Sequence, residues 1–231
     1  MKYKAVIFDL FGTIVDFRSE ATHIAHKLAI ASLFGVSGDE FGRIWRQTMS
    51  DRDLGCFGSA YGDLENAATL LGLRPDREII QQALEMRIRY YREYLEPRHG
   101  AIECLTWLKS HGYKIGLITV CASEVPIVWY DTLLAPFIDA CVFSCLEGVT
   151  KPDKRIYQLA CDRLSVEPGD CLYIGDGSYQ ELAGAQETGM HSIMIDRGMK
   201  GDCVDKHVHT DIEEWDGPRI SCLTEIIGLL R

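Results

Sequence analysis

Five short apolar segments, separated by helical patterns, constrain the fold of this chain more than any other feature. Each is rich in Val, Ile or Tyr and is followed by Gly, Ser or Asp, as buried strands usually are. The segments are residues 3–9 (YKAVIFD), 113–119 (YKIGLIT), 139–144 (DACVFS), 170–176 (DCLYIGD) and 191–196 (HSIMID). The helical patterns between them cover residues 100–112, 151–164 and 178–189. This alternation predicts an α/β fold with a doubly wound, Rossmann-like parallel sheet covered on both faces.

Residues 17–97 interrupt the alternation directly after the first strand. They contain no convincing strand, and their apolar residues recur at helical spacing. The helical patterns cover residues 19–34, 38–49, 61–72 and 76–95. We therefore predict an all-helical cap domain of residues 17–97, inserted into an α/β core of residues 1–16 and 98–231.

Composition and charge exclude some classes of binding partner and indicate a cellular compartment. Hydrophobic residues make up 47% of the 231 residues, and the formal net charge is −10. Nucleic acids are bound by basic surfaces, so this charge argues against a nucleic-acid partner. The N-terminal residues lack the apolar run of a signal peptide, and no segment has the length of a membrane span. The nine cysteines are scattered, as expected for buried reduced thiols. We expect a cytoplasmic protein without a membrane partner.

Polar side chains stand where the predicted strands end. Asp9, Thr119 and Asp176 end the first, second and fourth strands, and Lys151 follows the third. The carboxyl ends of parallel strands meet at one edge of a sheet, so these four side chains should converge there. Two carboxylates of this kind are typical ligands of Mg²⁺. Asp9 is then a candidate nucleophile, with Thr119 and Lys151 as groups that hold the transferred part of an anionic small-molecule substrate.

Four motifs in order resemble those of the haloacid dehalogenase (HAD) superfamily. They are FDLFGT, LIT, GVTKPDKRIY and GDGSYQELAGAQETGM, and the helical insert lies where one subgroup of that superfamily carries its cap. The resemblance implies a hydrolase that works through a covalent intermediate on Asp9, with Mg²⁺ as cofactor. It also implies roles for further residues. The implied metal ligands are Asp9, the carbonyl of Phe11, Asp176 and Glu181, and Thr119 and Lys151 are implied to bind the transferred group. Gly12, Val120 and Arg52 are further predicted substrate-binding residues.

Phe11 departs from the pattern of HAD phosphatases, which usually carry a second Asp at this position as general acid and base. Phenylalanine cannot transfer a proton, and losing such a group commonly costs about 10²–10⁴-fold in rate. The loss should be smallest for leaving groups that are already stable anions, such as a phenolate, a carboxylate or a halide. Haloacid dehalogenases carry an aromatic residue at this position, and Lys151 and Tyr157 also resemble that subgroup.

Two departures favour a phosphatase over a dehalogenase. Haloacid dehalogenases work without a metal and lack the acidic fourth motif, whereas this chain has Asp176 and Glu181. They also have an Asn where this chain has Val120. A phosphonate hydrolase would need a cap lysine, and Lys27 is the one lysine of residues 17–97. We favour a Mg²⁺-dependent phosphatase, and the alternatives are a 2-haloacid dehalogenase and a non-catalytic protein that binds a phosphorylated ligand.

Three other stretches contain residues that could have a functional or a structural role. Arg52, in the Gly-rich stretch 50–63, is predicted either to contact an anionic substrate group or to belong to an ordinary connection. The arginines of residues 86–94 are predicted to form a solvated helix face that pairs with Glu85 and Glu93. The group of Cys203, His207 and His209 has a weak metal-ligand spacing, and a plain connecting segment is favoured.

Overall fold

The structure is a computed structural model, which describes residues 3–196 and 214–231. A six-stranded parallel sheet lies at the centre of this part of the chain. The strands are β1 (Ala5–Phe8), β2 (Lys114–Thr119), β3 (Ala140–Phe143), β4 (Cys171–Gly175), β5 (His191–Ile195) and β6 (Arg219–Ile220). Their order is β3-β2-β1-β4-β5-β6, and each neighbouring pair is parallel. The chain thus winds outward from β1 first in one direction and then in the other, which confirms the predicted doubly wound fold. Cys203, His207 and His209 lie outside the described residues.

Eleven α-helices complete the described part of the chain. Those between β1 and β2 are α1 (Glu20–Leu33), α2 (Gly38–Gln47), α3 (Met49–Asp53), α4 (Ala60–Leu70), α5 (Arg77–Tyr94) and α6 (Ala101–Ser110). The later ones are α7 (Glu124–Trp129), α8 (Ser144–Glu147), α9 (Lys154–Leu164), α10 (Glu181–Thr188) and α11 (Glu225–Leu230). None of the helices in these residues is both long and apolar enough to cross a membrane.

The strands are apolar throughout because helices cover both faces of the sheet. In β1, Val6 and Phe8 contribute to one buried cluster with side chains of α6, α7 and α11. Ala5 and Ile7 point to the other face and join a second cluster with side chains of α9 and α10. Successive residues of a strand face opposite sides, so a strand buried on both faces needs an unbroken apolar run. This layering holds the carboxyl ends of β1, β2 and β4 rigidly side by side.

Helices α1 to α5 form a separate cluster with its own apolar core. Ile30, Phe41, Leu64 and Ile80 are buried together, each from a different helix. The start of α2 has a capping box, in which Ser37 and Glu40 satisfy each other's backbone N–H groups; this stabilises an exposed helix end. The four predicted helical stretches are confirmed, and α3 is an additional short helix. The exact domain limits at residues 17 and 97 stay a prediction.

The prediction of a fully solvated arginine face on α5 is wrong for Arg87. Its side chain is buried and forms an ion pair with Glu124 at the start of α7. Arg87 lies four residues after the buried Ala83 and seven before the buried Tyr94, which places it on the buried face of the helix. Arg92, on the opposite side, is exposed and pairs with Asp131. The buried pair joins α5 to the α/β core.

Candidate active site

The four polar residues predicted to converge do lie together at the carboxyl edge of the sheet. Asp9 follows β1, Thr119 ends β2 and Asp176 follows β4, and these three strands are neighbours. Lys151 reaches the same point from the segment between α8 and α9. All four side chains are buried, with 7% exposure for Asp9 and 3% for Lys151. Burial of several ionisable groups at one point is typical of a functional site rather than of a packed core.

Lys151 connects two of the carboxylates. Its Nζ donates hydrogen bonds to Asp9 Oδ1 at 2.5 Å and to Glu181 Oε2 at 2.6 Å. Burial lowers the pKa of Lys151, but the negative charges of Asp9 and Glu181 outweigh it and raise that pKa above its ordinary value. Lys151 is therefore a protonated, firmly held ammonium group that faces Asp9.

Asp9 is held at both carboxylate oxygens. Thr13 donates its hydroxyl proton to Asp9 Oδ2 at 3.0 Å, opposite the contact with Lys151. Burial, and then the charge of Glu181, raises the pKa of Asp9 to about 6, against the opposing charge of Lys151. The side chain is thus ionised above neutral pH, in the form that a nucleophile requires, and fixed in orientation.

Glu181 is anchored at the start of α10 and is completely buried. Besides Lys151, Oε2 accepts a hydrogen bond from the hydroxyl of Tyr173 at 2.7 Å, and Oε1 accepts one from the N–H of Gly177 at 3.1 Å. A Cβ at Gly175 would overlap the Glu181 carboxylate, so only glycine allows this approach. Burial raises the pKa of Glu181, and the charge of Lys151 opposes that rise. Because its hydrogen bonds to Tyr173 and Gly177 hold Glu181 in place, Glu181 also fixes the position of Lys151.

Asp9, Asp176 and Glu181 form a compact group of carboxylates. One oxygen from each lies within 4.8 Å of the other two, and all three side chains are buried. Gly12 has a φ of +79°, and a Cβ there would overlap Asp176 Oδ2, so glycine is required beside the group. Lys151 supplies one positive charge against three carboxylates, which leaves the four side chains with a net negative charge. Hard oxygen ligands with excess negative charge fit a divalent cation such as Mg²⁺.

Thr119 and Val120 form the end of β2 at this site. The hydroxyl of Thr119 is fully buried and donates to the carbonyl of Val120 at 3.5 Å, a long contact. Val120 contributes to the wall of the adjoining cavity. Phe11, half-buried, lines the same cavity and packs on Tyr94 of α5 with ring centroids 5.0 Å apart. The side chain at position 11, beside Asp9, is thus a phenyl ring that cannot donate a proton.

A cavity of about 500 Å³ extends from Asp9 between the core and helices α1 to α5. Arg52 lines this cavity, and its contact with a substrate group stays a prediction. The stretch 50–63 is not one loop, because α3 spans Met49–Asp53 and α4 begins at Ala60. The Arg52 guanidinium stacks on the ring of Trp45, which lies seven residues earlier on α2. A cavity of this size accommodates a ligand much larger than a short-chain haloacid, since small-molecule sites occupy about 300–1,000 Å³.

Several residues of the cavity wall were not identified from the sequence. His23, Trp45, Tyr90 and Tyr94 come from three different helices of the cap and face the same space. The hydroxyl of Tyr90 and Nδ1 of His23 are hydrogen-bonded at 2.5 Å. The spacing of Tyr90 and Tyr94 by four residues places both on one face of α5 and was the available signal. It could equally have indicated core packing.

Comparisons with known proteins agree with this geometry. The family model described as haloacid dehalogenase-like hydrolase matches residues 3–189. The chain is 28% identical to (S)-2-haloacid dehalogenase 4A of Burkholderia cepacia over 84% of this chain and 83% of that protein. It is 25% identical to glyceraldehyde 3-phosphate phosphatase of Methanocaldococcus jannaschii over 99% and 97%. The solved 2-haloacid dehalogenase of Pseudomonas syringae pv. Tomato DC3000 shares the fold, with a TM-score of 0.73, 19% identity and coverage of 99% and 98%.

Proposed function

The chain belongs to the family of haloacid dehalogenase-like hydrolases, and from this premise we propose that it is a Mg²⁺-dependent phosphatase acting through an aspartyl-phosphate on Asp9. Its relatives include both phosphatases and haloacid dehalogenases, so residues of this chain must separate the two. The observation that carries the proposal is the buried group of Asp9, Asp176 and Glu181. Its excess negative charge would repel an anionic phosphoryl group unless a cation neutralised it.

The metal would be held by Asp9, Asp176 and the carbonyl of Phe11, with Glu181 nearby. When bound, Mg²⁺ would supply positive charge to the phosphoryl oxygens. The bonds of Glu181 to Lys151, Tyr173 and Gly177 suit a residue that orients Lys151 at least as well as they suit a metal ligand. We therefore assign Glu181 mainly to positioning.

Asp9 would attack phosphorus with a carboxylate oxygen, forming an O–P bond as the bond from phosphorus to the leaving oxygen breaks. The leaving oxygen takes the electron pair of that bond. Lys151 and Thr119 would donate hydrogen bonds to the phosphoryl oxygens, with Lys151 moving from its resting contact with Asp9. Water then attacks the aspartyl-phosphate, which releases inorganic phosphate and restores Asp9.

Phe11 limits which esters this site can cleave quickly. With a phenyl ring beside Asp9, no acid at that position protonates the leaving oxygen. An alkoxide leaves poorly without a proton, whereas a phenolate is a much more stable anion. We therefore expect a preference for aryl phosphates over alkyl phosphates.

A 2-haloacid dehalogenase is the second candidate, because two observations favour it. Halide needs no proton when it leaves, which suits Phe11, and Lys151 donates a hydrogen bond to Asp9 at 2.5 Å. Here Asp9 would attack the carbon that bears the halogen, and the resulting ester would be hydrolysed. Glu181 could still position Lys151 in that reaction, but Asp176 has no role in it.

Phosphate release from phenyl phosphate and ethyl phosphate tests the proposal. Each ester is assayed with Mg²⁺ and after chelation, using the native chain, Asp9→Asn and, as control, Asp51→Asn, which alters an exposed side chain of α3. We expect Mg²⁺-dependent hydrolysis of phenyl phosphate, at least about 10²-fold slower hydrolysis of ethyl phosphate, and activity lost only in Asp9→Asn. Halide release from 2-chloropropionate without metal, together with no phosphate release, would replace the proposal with the dehalogenase.

A further inference from the structure

The cavity above Asp9 has an aromatic wall. Its rings come from the core and from the inserted helices, and they include Phe11, Phe17, Trp45, Tyr90, Tyr94 and Tyr179. Phe11 and Tyr94 contact each other next to Asp9. Aromatic faces and edges bind other rings well, in stacked or edge-to-face arrangements. A flat, largely apolar body between the reacting group and the far wall suits this cavity better than a short polar chain.

A buried guanidinium completes the wall on the cap side. Arg52 is 4% exposed and lines the cavity. Its Cζ lies 3.7 Å from the centroid of the Trp45 ring, and its Nη2 donates to the carbonyl of Trp45 at 2.6 Å. Its Nε lies 3.4 Å from the Thr48 hydroxyl. These contacts fix the guanidinium in place, and the nearby carboxylates of Glu124 and Asp53 act on its charge without forming an ion pair within 4.0 Å.

Arg87 differs from Arg52 in having a directly bonded carboxylate. Arg87 lies over the same Trp45 ring, with its Cζ 4.3 Å from the centroid, and it pairs with Glu124. Among residues 3–196 and 214–231, no carboxylate oxygen lies within 4.0 Å of the guanidinium nitrogens of Arg52. A buried guanidinium without a directly bonded carboxylate is incompletely neutralised, so an anionic group that enters the cavity gains from pairing with it. The planar fork of a guanidinium matches a carboxylate in particular.

We propose that the substrate is an aromatic phosphate monoester that also carries a carboxylate on its ring. The phosphate lies at Asp9, the ring lies among the aromatic side chains, and the carboxylate pairs with Arg52. This inference rests on the proposed phosphatase function and adds the substrate class. Asp9 forms the bond to phosphorus, the bond from phosphorus to the ring oxygen breaks, and the electron pair leaves on the phenolate. A phenolate needs no proton from position 11.

Paired probes test the role of the carboxylate. They are 4-carboxyphenyl phosphate and its neutral counterpart 4-carbamoylphenyl phosphate as substrates, and 4-hydroxybenzoate and 4-hydroxybenzamide as product ligands. The carboxamide withdraws electrons from the ring more strongly, so leaving-group chemistry alone favours the neutral ester. We expect the native chain with Mg²⁺ to show a kcat/KM about tenfold higher for the carboxylate ester and a Kd about tenfold lower for 4-hydroxybenzoate, as one charge-assisted bond allows.

Three variants locate the effect. Arg52→Gln should abolish both preferences, and Arg52→Lys, which keeps the charge, should retain part of each. Arg43→Gln removes an exposed arginine of α2 that does not line the cavity, and it should retain both in full. Thermal unfolding of each variant shows that it is folded, and the comparison of probes within the native chain needs no substitution at all.

The outcomes separate the two proposals. Equal kcat/KM for both esters, with equal Kd for both product ligands, overturns the assignment of a carboxylate to Arg52 while the phosphatase stands. A preference for 4-hydroxybenzoate that Arg52→Gln abolishes, without hydrolysis of either ester, overturns the phosphatase and supports the anion site at Arg52. Preferences that survive Arg52→Gln also overturn the inference.

Discussion

Asp63 on α4 offers a test of how buried charge affects the stability of this protein. Its side chain has 0% exposure, and the carboxylate interacts with the Ser123 side chain without a well-aligned hydrogen bond at either oxygen. Burial, and after it the charge of Glu124, raises the pKa of Asp63 from 3.8 to about 6, while Arg52 and Arg87 oppose that rise. The Oε2 atom of Glu124 is likewise buried without a partner. Asp63→Asn keeps the shape, removes one of two mutually repelling charges and introduces an amide donor.

The size and the sign of the effect follow from the pKa. Because the pKa of Asp63 is higher in the folded chain than in the unfolded chain, the folded state retains its proton to higher pH. Stability is therefore lost as the pH rises from 3.8 to about 6, and the loss is then constant. With about 1.4 kcal/mol per pKa unit, the ionised carboxylate costs about 3 kcal/mol at pH 8 and about 1 kcal/mol at pH 4.5. Asp63→Asn should recover these amounts.

Urea unfolding followed by circular dichroism measures the difference. The native chain, Asp63→Asn and the control Asp51→Asn, whose side chain is exposed, are compared at pH 8 and pH 4.5 with the same Mg²⁺ concentration. We expect Asp63→Asn to have the higher urea midpoint at pH 8 with unchanged slope, and a smaller advantage at pH 4.5. The reasoning is refuted if Asp63→Asn is less stable than the native chain at pH 8, or if its advantage grows toward acid pH.

Three further substitutions test other parts of the structure. Arg87→Met leaves the buried carboxylate of Glu124 without its partner and should lower the free energy of unfolding by about 3–5 kcal/mol. The control Arg92→Met removes an exposed ion pair and should lower it by less than about 1 kcal/mol. Equal losses for the two variants in urea unfolding would contradict this reasoning. Phe11→Asp introduces a proton donor and should raise the rate for ethyl phosphate relative to phenyl phosphate by about 10²-fold or more. An unchanged rate ratio in phosphate-release assays would contradict the assignment of the general acid to position 11. Gly12→Ala places a Cβ against Asp176 and the Phe17 ring at a positive φ, so Mg²⁺-dependent turnover should be lost and Tm should fall. Full activity with an unchanged Tm would contradict the close approach.

The fold was largely predictable because its signals are local. Unbroken apolar runs at β1, β2 and β4 follow directly from burial on both faces of the sheet. The helices of residues 17–97 have apolar residues at helical spacing, and those residues do pack together. The additional helices α3, α7 and α8 are short. Short helices carry too few turns for a periodic pattern to emerge.

The convergence of Asp9, Thr119, Lys151 and Asp176 was also predictable, because the topology of a parallel sheet brings the ends of neighbouring strands to one edge. Their roles in catalysis remain predictions. The contacts of Glu181 could not be read from the sequence, since Tyr173 and Gly177 reach it only through the turn after β4. The same holds for the cavity wall, which combines side chains from distant parts of the chain.

The amino-acid sequence by itself determines the layered core, the helical insert and the meeting point of the acidic and basic groups, because periodicity and strand order are properties of consecutive residues. Only the tertiary structure decides which charges are buried and which of them have partners. Arg52, Arg87 and Arg92 are chemically identical along the chain, yet the first lines the cavity, the second is paired inside the protein and the third is exposed. That difference arises because the environment of a side chain is set by the elements packed against it.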